Sequence, residues 1–314
     1  MSCRIEELKD GFKGNITVLL TQVNRGVTAK GAPYLSFVLQ DKTGTMDAKY
    51  WNVSEETLYQ YEPGLLIQAS GDVISHNKQL QFRVQGAEIL DQSDMDISDY
   101  VKEGPISKDE LKQRMQAKLS ELKNEKIASI VKSILADYEK DFYEYPAASK
   151  NHHDFVGGLA THVIGMLDIA SNLCLQYPLL SKDVLYGGVI LHDIGKLIEL
   201  SGAIITEYTM EGKLLGHISI MQSMVDNKAK ELGIEGEEVI LLRHMILSHH
   251  GVYEYGSPVL PMIPEAEMLY LIDNIDARMN TIEKALKQIN PGEFTTRIFA
   301  LENRCFYKRK DEEQ

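Results

Sequence analysis

Eight of the nine histidines fall between residues 152 and 250, and those best suited to chemistry are spaced as one set per helix. His162, the pair His192-Asp193, His217, the pair His249-His250 and Asp273 follow one another at gaps of 30, 24, 32 and 23 residues. Each gap lets one helix run out and the next return, so a bundle can bring all of them to one centre. Neutral imidazole and carboxylate are both ligands for divalent transition metals. A fold that gathers them must be helical through this half of the chain.

The hydrophobic pattern agrees. After Gly104-Pro105, the run Ser107-Lys-Asp-Glu110 has the form of a capping box, and Leu111, Met115, Leu119 and Leu122 recur at helical spacing. Helices are expected near 108–122, 125–141, 156–176, 182–194, 217–232, 236–249, 264–288 and 293–303. His162 lies among Leu159, Val163, Met166 and Leu167, where a core histidine bonded to a carbonyl is the ordinary alternative to a ligand. His192 and Asp193 sit at a helix end, with Gly195 able to cap it. Lys196 follows; a cation there would offset charge on a phosphoryl oxygen, and a solvated helix-end lysine is the plain alternative. His249 and His250 diverge by about 100° on a regular helix, a constraint that Gly251 loosens. Asp273 and Asp276 share one helical face. His152 and His153, in Lys-Asn-His-His-Asp, suit either a substrate entrance or a surface loop, and His244 reads as core or as support for the ligands.

Residues 14–90 have the period of strands instead. Ile16, Val18 and Leu20 alternate with polar neighbours, Tyr34 to Leu39 is rich in β-formers, and Met46, Ala48 and Tyr50 alternate with Asp47, Lys49 and Trp51. Leu65 to Ile74 and then Leu80, Phe82 and Val84 continue the pattern. Turns are expected at Asp41-Lys-Thr-Gly44 and at 75–78, and a short helix from Ser54 to Tyr61 with Ser54 as its N-cap. Five strands with a helix after the third resemble an OB-fold barrel, and Asp-Lys-Thr-Gly-Thr-Met-Asp-Ala-Lys-Tyr-Trp looks like the second hairpin of nucleic-acid-binding members. The resemblance implies a groove where bases stack on aromatic rings. Candidates are Tyr34, Phe37, Tyr50 and Trp51, with Lys30, Lys42, Lys49 and Arg83 for phosphates; about half of the rings must point inward, because strand neighbours alternate faces.

The division expected is a barrel over 1–95, an acidic linker over 96–106 and an all-α domain over 107–314, making a multi-domain α+β chain. The formal charge of −13 argues against gripping nucleic acid by bulk electrostatics. Three widely separated cysteines suit a reducing compartment. No run approaching a membrane span is evident, nor a secretory leader at the start, so a cytoplasmic protein without a membrane partner is expected.

The order H…HD…H…HH…D, with His192-Asp193-Ile-Gly-Lys196 at its middle, resembles the HD-domain superfamily of metal-dependent phosphohydrolases. An OB-fold module ahead of such a domain resembles the YhaM family of bacterial 3′→5′ exoribonucleases, on Asn-His-His-Asp-Phe, Leu-His-Asp-Ile-Gly-Lys, Leu-Leu-Gly-His-Ile, Ile-Leu-Ser-His-His-Gly and Leu-Ile-Asp-Asn-Ile-Asp-Ala-Arg-Met in the second half. That likeness implies hydrolysis of single-stranded RNA, or single-stranded DNA, to monophosphates by two divalent ions. Mn²⁺ is the expected metal, with Fe²⁺, Co²⁺ and Mg²⁺ as alternatives. The implied ligands are His162, His192, Asp193, His217, His249, His250 and Asp273, with Asp193 bridging and Lys196 on the substrate phosphate; a homo-oligomer is compatible with it. The alternatives are an HD-type nucleotide or cyclic-nucleotide phosphohydrolase whose barrel serves assembly, and a non-catalytic RNA-binding adaptor. His250 is followed by Gly-Val-Tyr and not by the Gly-Tyr-Pro of the cyclic-dinucleotide branch.

Overall fold

A computed structural model describes residues 3–76, 79–91, 100–101, 104–147, 155–202 and 207–310. Two compact units divide the chain, the first ending at Glu103 and the second beginning at Gly104. His152 and His153, and parts of the expected 75–78 turn and 96–106 linker, lie outside the described residues.

The first unit is the expected barrel. Its strands are β1 (Lys13–Val27), β2 (Pro33–Asp41), β3 (Gly44–Trp51), β4 (Leu66–His76) and β5 (Gln79–Ile89), with helix α1 (Glu55–Gln60) after the third. They close in the order β1-β2-β3-β5-β4, the β3–β5 pair being parallel. A register shift between Leu20 and Gln22 bends β1 so that it pairs with both β2 and β4. A second shift lies between Ser70 and Gly71 of β4, where a Cβ on Gly71 would meet the Arg83 carbonyl oxygen at 2.1 Å. Alternate residues fill the interior: Leu35, Phe37 and Leu39 of β2, Met46 and Ala48 of β3, and Phe82 and Val84 of β5. Ser54 caps α1, its hydroxyl accepting from the Thr57 N–H.

The second unit is helical: α2 (Lys108–Ser120), α3 (Glu125–Asp137), α4 (Glu139–Phe142), α5 (Gly158–Gln176), α6 (Lys182–Leu191), α7 (Lys196–Glu199), α8 (Met210–Glu231), α9 (Glu237–Ser248) and α10 (Pro264–Lys287). Local chemistry starts several of them, with Ser107, Asn124, Ser181 and Thr209 side chains accepting from first-turn N–H groups. Every residue of α6 from Val184 to Leu191 is buried, as a helix apolar all round must be. Against the expectation that no stretch approaches a membrane span, helix α5 reaches that length and hydropathy, but over half of its apolar window is buried inside this unit.

The expected last helix fails here. The stretch 293–303 is no α-helix: isolated bridges pair Phe294 with Tyr307 and Ile298 with Arg304 around a 3₁₀ turn at Phe299–Leu301. Pro291-Gly292, β-branched Thr295-Thr296 and the left-handed residues Glu302 and Asn303 oppose a helix there. Helix α8 starts at Met210, but Gly216 breaks it at φ 72°, ψ 153°, so that a new helical run starts at His217, where a helix was expected.

Candidate metal centre

Helix ends do most of the positioning. His192 and His249 occupy the C-cap positions of α6 and α9, and each ring turns back on its own helix. His192 Nδ1 lies 2.8 Å from the Val189 carbonyl oxygen and His249 Nδ1 lies 2.7 Å from that of Ile246. A carbonyl can only accept, so both Nδ1 atoms carry the proton and both Nε2 lone pairs face away from the helix. His250 does the same from the following loop, its Nδ1 2.7 Å from the Tyr255 carbonyl oxygen. Burial, and then the neighbouring imidazoles, push His249 and His250 below the ordinary histidine range and keep both rings neutral.

His217 is aimed by a residue outside the expected set. Glu199, on α7, accepts from His217 Nδ1 at 3.2 Å and from the His217 backbone N–H at 3.0 Å. The Gly216 break frees that N–H from the preceding helical turn. Burial would raise the Glu199 carboxyl, but its bonds to His217 win and hold it below its ordinary value. Only spatial proximity marks Glu199 out; on the chain it is one acid among 46 acidic residues.

His162, on α5, lies between the two aspartates of α10. Its Nδ1 is 2.6 Å from Asp276 Oδ2 and its Nε2 is 3.3 Å from Asp273 Oδ1. Gly165 makes room for Asp276, since a Cβ there would stand 3.2 Å from Oδ1. Burial opposes a charge on His162, yet the two carboxylates overcome it and hold the imidazole up at about 10. Asp273 is drawn below the usual carboxylate range by His162 against the opposing effect of burial.

Asp193 sits amid the rings. Its Oδ2 is 3.4 Å from His192 Nε2, and its Oδ1 is 3.7 Å from His217 Nε2 and 3.9 Å from His249 Nε2. Lys196 Nζ donates to Asp193 Oδ2 at 2.7 Å and to the Ala147 carbonyl at 3.0 Å. Burial alone would raise Asp193, but Lys196 and the imidazoles hold it far below its usual value.

The Nε2 atoms of His192, His217 and His249 are buried without a hydrogen-bond partner. Leaving one such group unsatisfied costs about 1–3 kcal/mol. Three lone pairs converge on a carboxylate that also offers only lone pairs, which is repulsive unless a cation stands between them. Two sets of mutually close donors result: His162, His192 and Asp193 form one, and His217, His249 and His250 the other, with donor atoms within 4.8 Å inside each. Imidazole with carboxylate suits a divalent transition ion, so the residues present fit a divalent metal site. All seven expected ligands meet here. His244 does not: its Nε2 accepts from the Met262 backbone N–H and braces a loop.

The barrel candidates divide. Phe37 is a correction: it is 2 % exposed, edge-on to Tyr61 in the barrel core, where no base can reach it. Tyr34 and Trp51 are register partners on the outward face, their rings 4.8 Å apart, and the Lys49 ammonium lies 4.9 Å from the Tyr34 centroid. Arg83 pairs with Lys49 across β3–β5, but its guanidinium bonds both carboxylate oxygens of Asp72, at 2.7 and 3.0 Å. Two rings and the Lys49 ammonium, which also donates to the Ser36 hydroxyl, make a modest stacking platform.

Comparison with known proteins supplies the rest. The HD domain family matches residues 159–278. A protein from Geobacillus sp. (strain WCH70) named 3′-5′ exoribonuclease YhaM is 45% identical over 299 residues, spanning 95% of this chain and 92% of that one. Among solved structures, the second OB-fold domain of replication protein A from Methanococcus maripaludis matches with a TM-score of 0.25 and 23% identity, over 30% of this chain and 98% of that one. The single-stranded DNA binding protein of Thermus aquaticus matches with a TM-score of 0.25 and 12% identity, over 27% and 43% respectively.

Proposed function

The chain belongs to the family of the 3′-5′ exoribonuclease YhaM, and on that premise we propose that its helical unit removes nucleotides from the 3′ end of single-stranded RNA at two divalent cations. It is a metal-dependent hydrolase. The observation that carries the site assignment is the convergence of three buried, unpartnered imidazole nitrogens on the Asp193 carboxylate.

His162, His192 and Asp273 would hold one ion and His217, His249 and His250 the other, with one oxygen of Asp193 toward each. When bound, such ions lower the pKa of water and offset negative charge on a phosphate. Lys196 commits two of its three N–H groups to Asp193 and Ala147. The third is available to a phosphoryl oxygen as charge grows there. Glu199 and Asp276 fix the rings of His217 and His162, so that the nitrogens opposite them point inward. Water adds to phosphorus, the bond to the upstream 3′ oxygen breaks, and a nucleoside 5′-monophosphate leaves. The mixed nitrogen and oxygen donor set favours Mn²⁺, or Fe²⁺ or Co²⁺, over Mg²⁺, which prefers oxygen alone.

Residues 1–95 serve as the binding module, 96–106 as linker and 107–314 as the catalytic module. Tyr34 and Trp51 stack upstream bases while Lys49 meets a phosphate, Arg83 being held by Asp72; stacking does not read the sugar, so single-stranded DNA is also accommodated. The test is a ladder from 5′-labelled single-stranded RNA incubated with Mn²⁺, with Mg²⁺ or with chelator. Asp193→Ala is expected to keep its circular dichroism, lose bound metal and leave the RNA full length. Shortening by that variant at the wild-type rate would overturn the assignment.

A further inference from the structure

The loop after His250 is braced far beyond what linking two helices requires. Gly251 donates to the Ser248 carbonyl, Val252 to that of His250, Tyr255 to Val252 and Gly256 to Tyr253, while buried Ser257 anchors the far end on the Leu247 and Val259 carbonyls. Gly251 and Gly256 adopt φ of 76° and 86°. A Cβ on Gly251 would strike the Tyr270 ring at 2.2 Å, so that ring lies flat against the loop backbone. The loop is also tied to the metal centre, because the Tyr255 carbonyl orients His250. Yet this rigid turn leaves the rings of Tyr253 and Tyr255 both 62% exposed. Arg278 stands close by, its charge favoured first by its bidentate contact with Glu302 and further by Tyr255 and Tyr270.

We propose that Tyr253 and Tyr255 are positioning residues that stack the bases at the 3′ end of the RNA and so set the terminal phosphodiester over the metals. The proposal rests on the exoribonuclease reading given above and adds to it a base-holding subsite beside the ligand His250. A braced backbone presents both side chains from fixed positions, and every base offers a π-face, so such a subsite is tolerant of sequence. Its rigidity also explains why the platform is bolted to a ligand: displacement of the bases would be transmitted to His250.

The experiment uses the full chain loaded with Mn²⁺. Tyr253→Ala/Tyr255→Ala is compared with Tyr253→Phe/Tyr255→Phe and with Tyr177→Ala, whose exposed ring caps α5 about 22 Å along the helix axis from His162. The alanine pair should raise KM for a single-stranded 20-mer by roughly tenfold or more, as expected for lost stacking. It should also abolish the quenching of 2-aminopurine placed at the RNA 3′ end. The phenylalanine pair and Tyr177→Ala should stay within about twofold of wild type, and bound manganese should be unchanged throughout. An alanine pair with wild-type KM and quenching overturns the subsite. So does one that loses metal and hydrolysis of methyl p-nitrophenyl phosphate together with RNA cleavage, since the loop is then only structural. If the wild type cleaves that small diester but not RNA, the exoribonuclease reading itself has failed.

Discussion

Asp193 and His162 show how much single residues in this centre depend on their neighbours. Asp193 lies within reach of imidazoles of both groups, and Lys196 keeps it ionised in a buried setting. His162 is held up at about 10 by Asp273 and Asp276, so in the metal-free protein at pH 7.5 its ring carries a proton. A metal ligand must be neutral. Loading at pH 7.5 should therefore expel close to one proton from His162, and metal affinity should climb as pH rises toward 10. A histidine at its ordinary value near 6.5 would release almost none. Calorimetry of Mn²⁺ binding in buffers of different ionisation enthalpy measures this. Asp276→Asn should cut the release by removing one of the two charges that hold the proton, and an unchanged release would refute the account.

At the scale of elements, the break in α8 matters most. Gly216 adopts a backbone conformation that only glycine tolerates, with open space around its missing side chain. Gly216→Ala should therefore destabilise through backbone strain alone, by roughly 1–3 kcal/mol in chemical denaturation. It should also weaken the ion on the His217 side, because the freed N–H of His217 would lose its place on Glu199. Glu199→Ala should lower the affinity for one of the two ions by about 10–100-fold, while Glu199→Gln, which keeps the accepting oxygen, should retain most of it; metal titration followed by native mass spectrometry resolves the two. Equal loss in both variants would mean that charge, not orientation, is what Glu199 supplies. The N-caps at Ser54 and Ser107 were legible because a cap is a contact within one turn. The 293–303 stretch was misread because its mixture of aromatics and cations mimics a helix face, while its backbone bonds, such as Thr295 N–H to the Phe306 carbonyl, span the segment and leave no periodic trace.

The whole molecule combines a barrel suited to holding single strands with a helical unit suited to cutting them. In the full chain, Tyr34→Ala/Trp51→Ala should raise KM for a single-stranded 20-mer by roughly tenfold; an unchanged KM would remove the barrel from substrate holding. The sequence by itself determined the two architectures, since period 2 and period 3.6 are written into the hydrophobic pattern, and it held the imidazoles and carboxylates from which the proposed ligand set is drawn. It could not tell which way a strand residue faces without the register: Phe37 and Tyr34 are both aromatic residues of β2, and only closure of the barrel buried one and exposed the other. Nor could it choose between Asp273 and Asp276, which lie three apart on α10; their roles separate because α5 brings His162 between them, Nδ1 toward one and Nε2 toward the other. Glu199 was invisible for the same reason. Orientation is a property of packed helices meeting at a point, and that point exists only once the chain has folded.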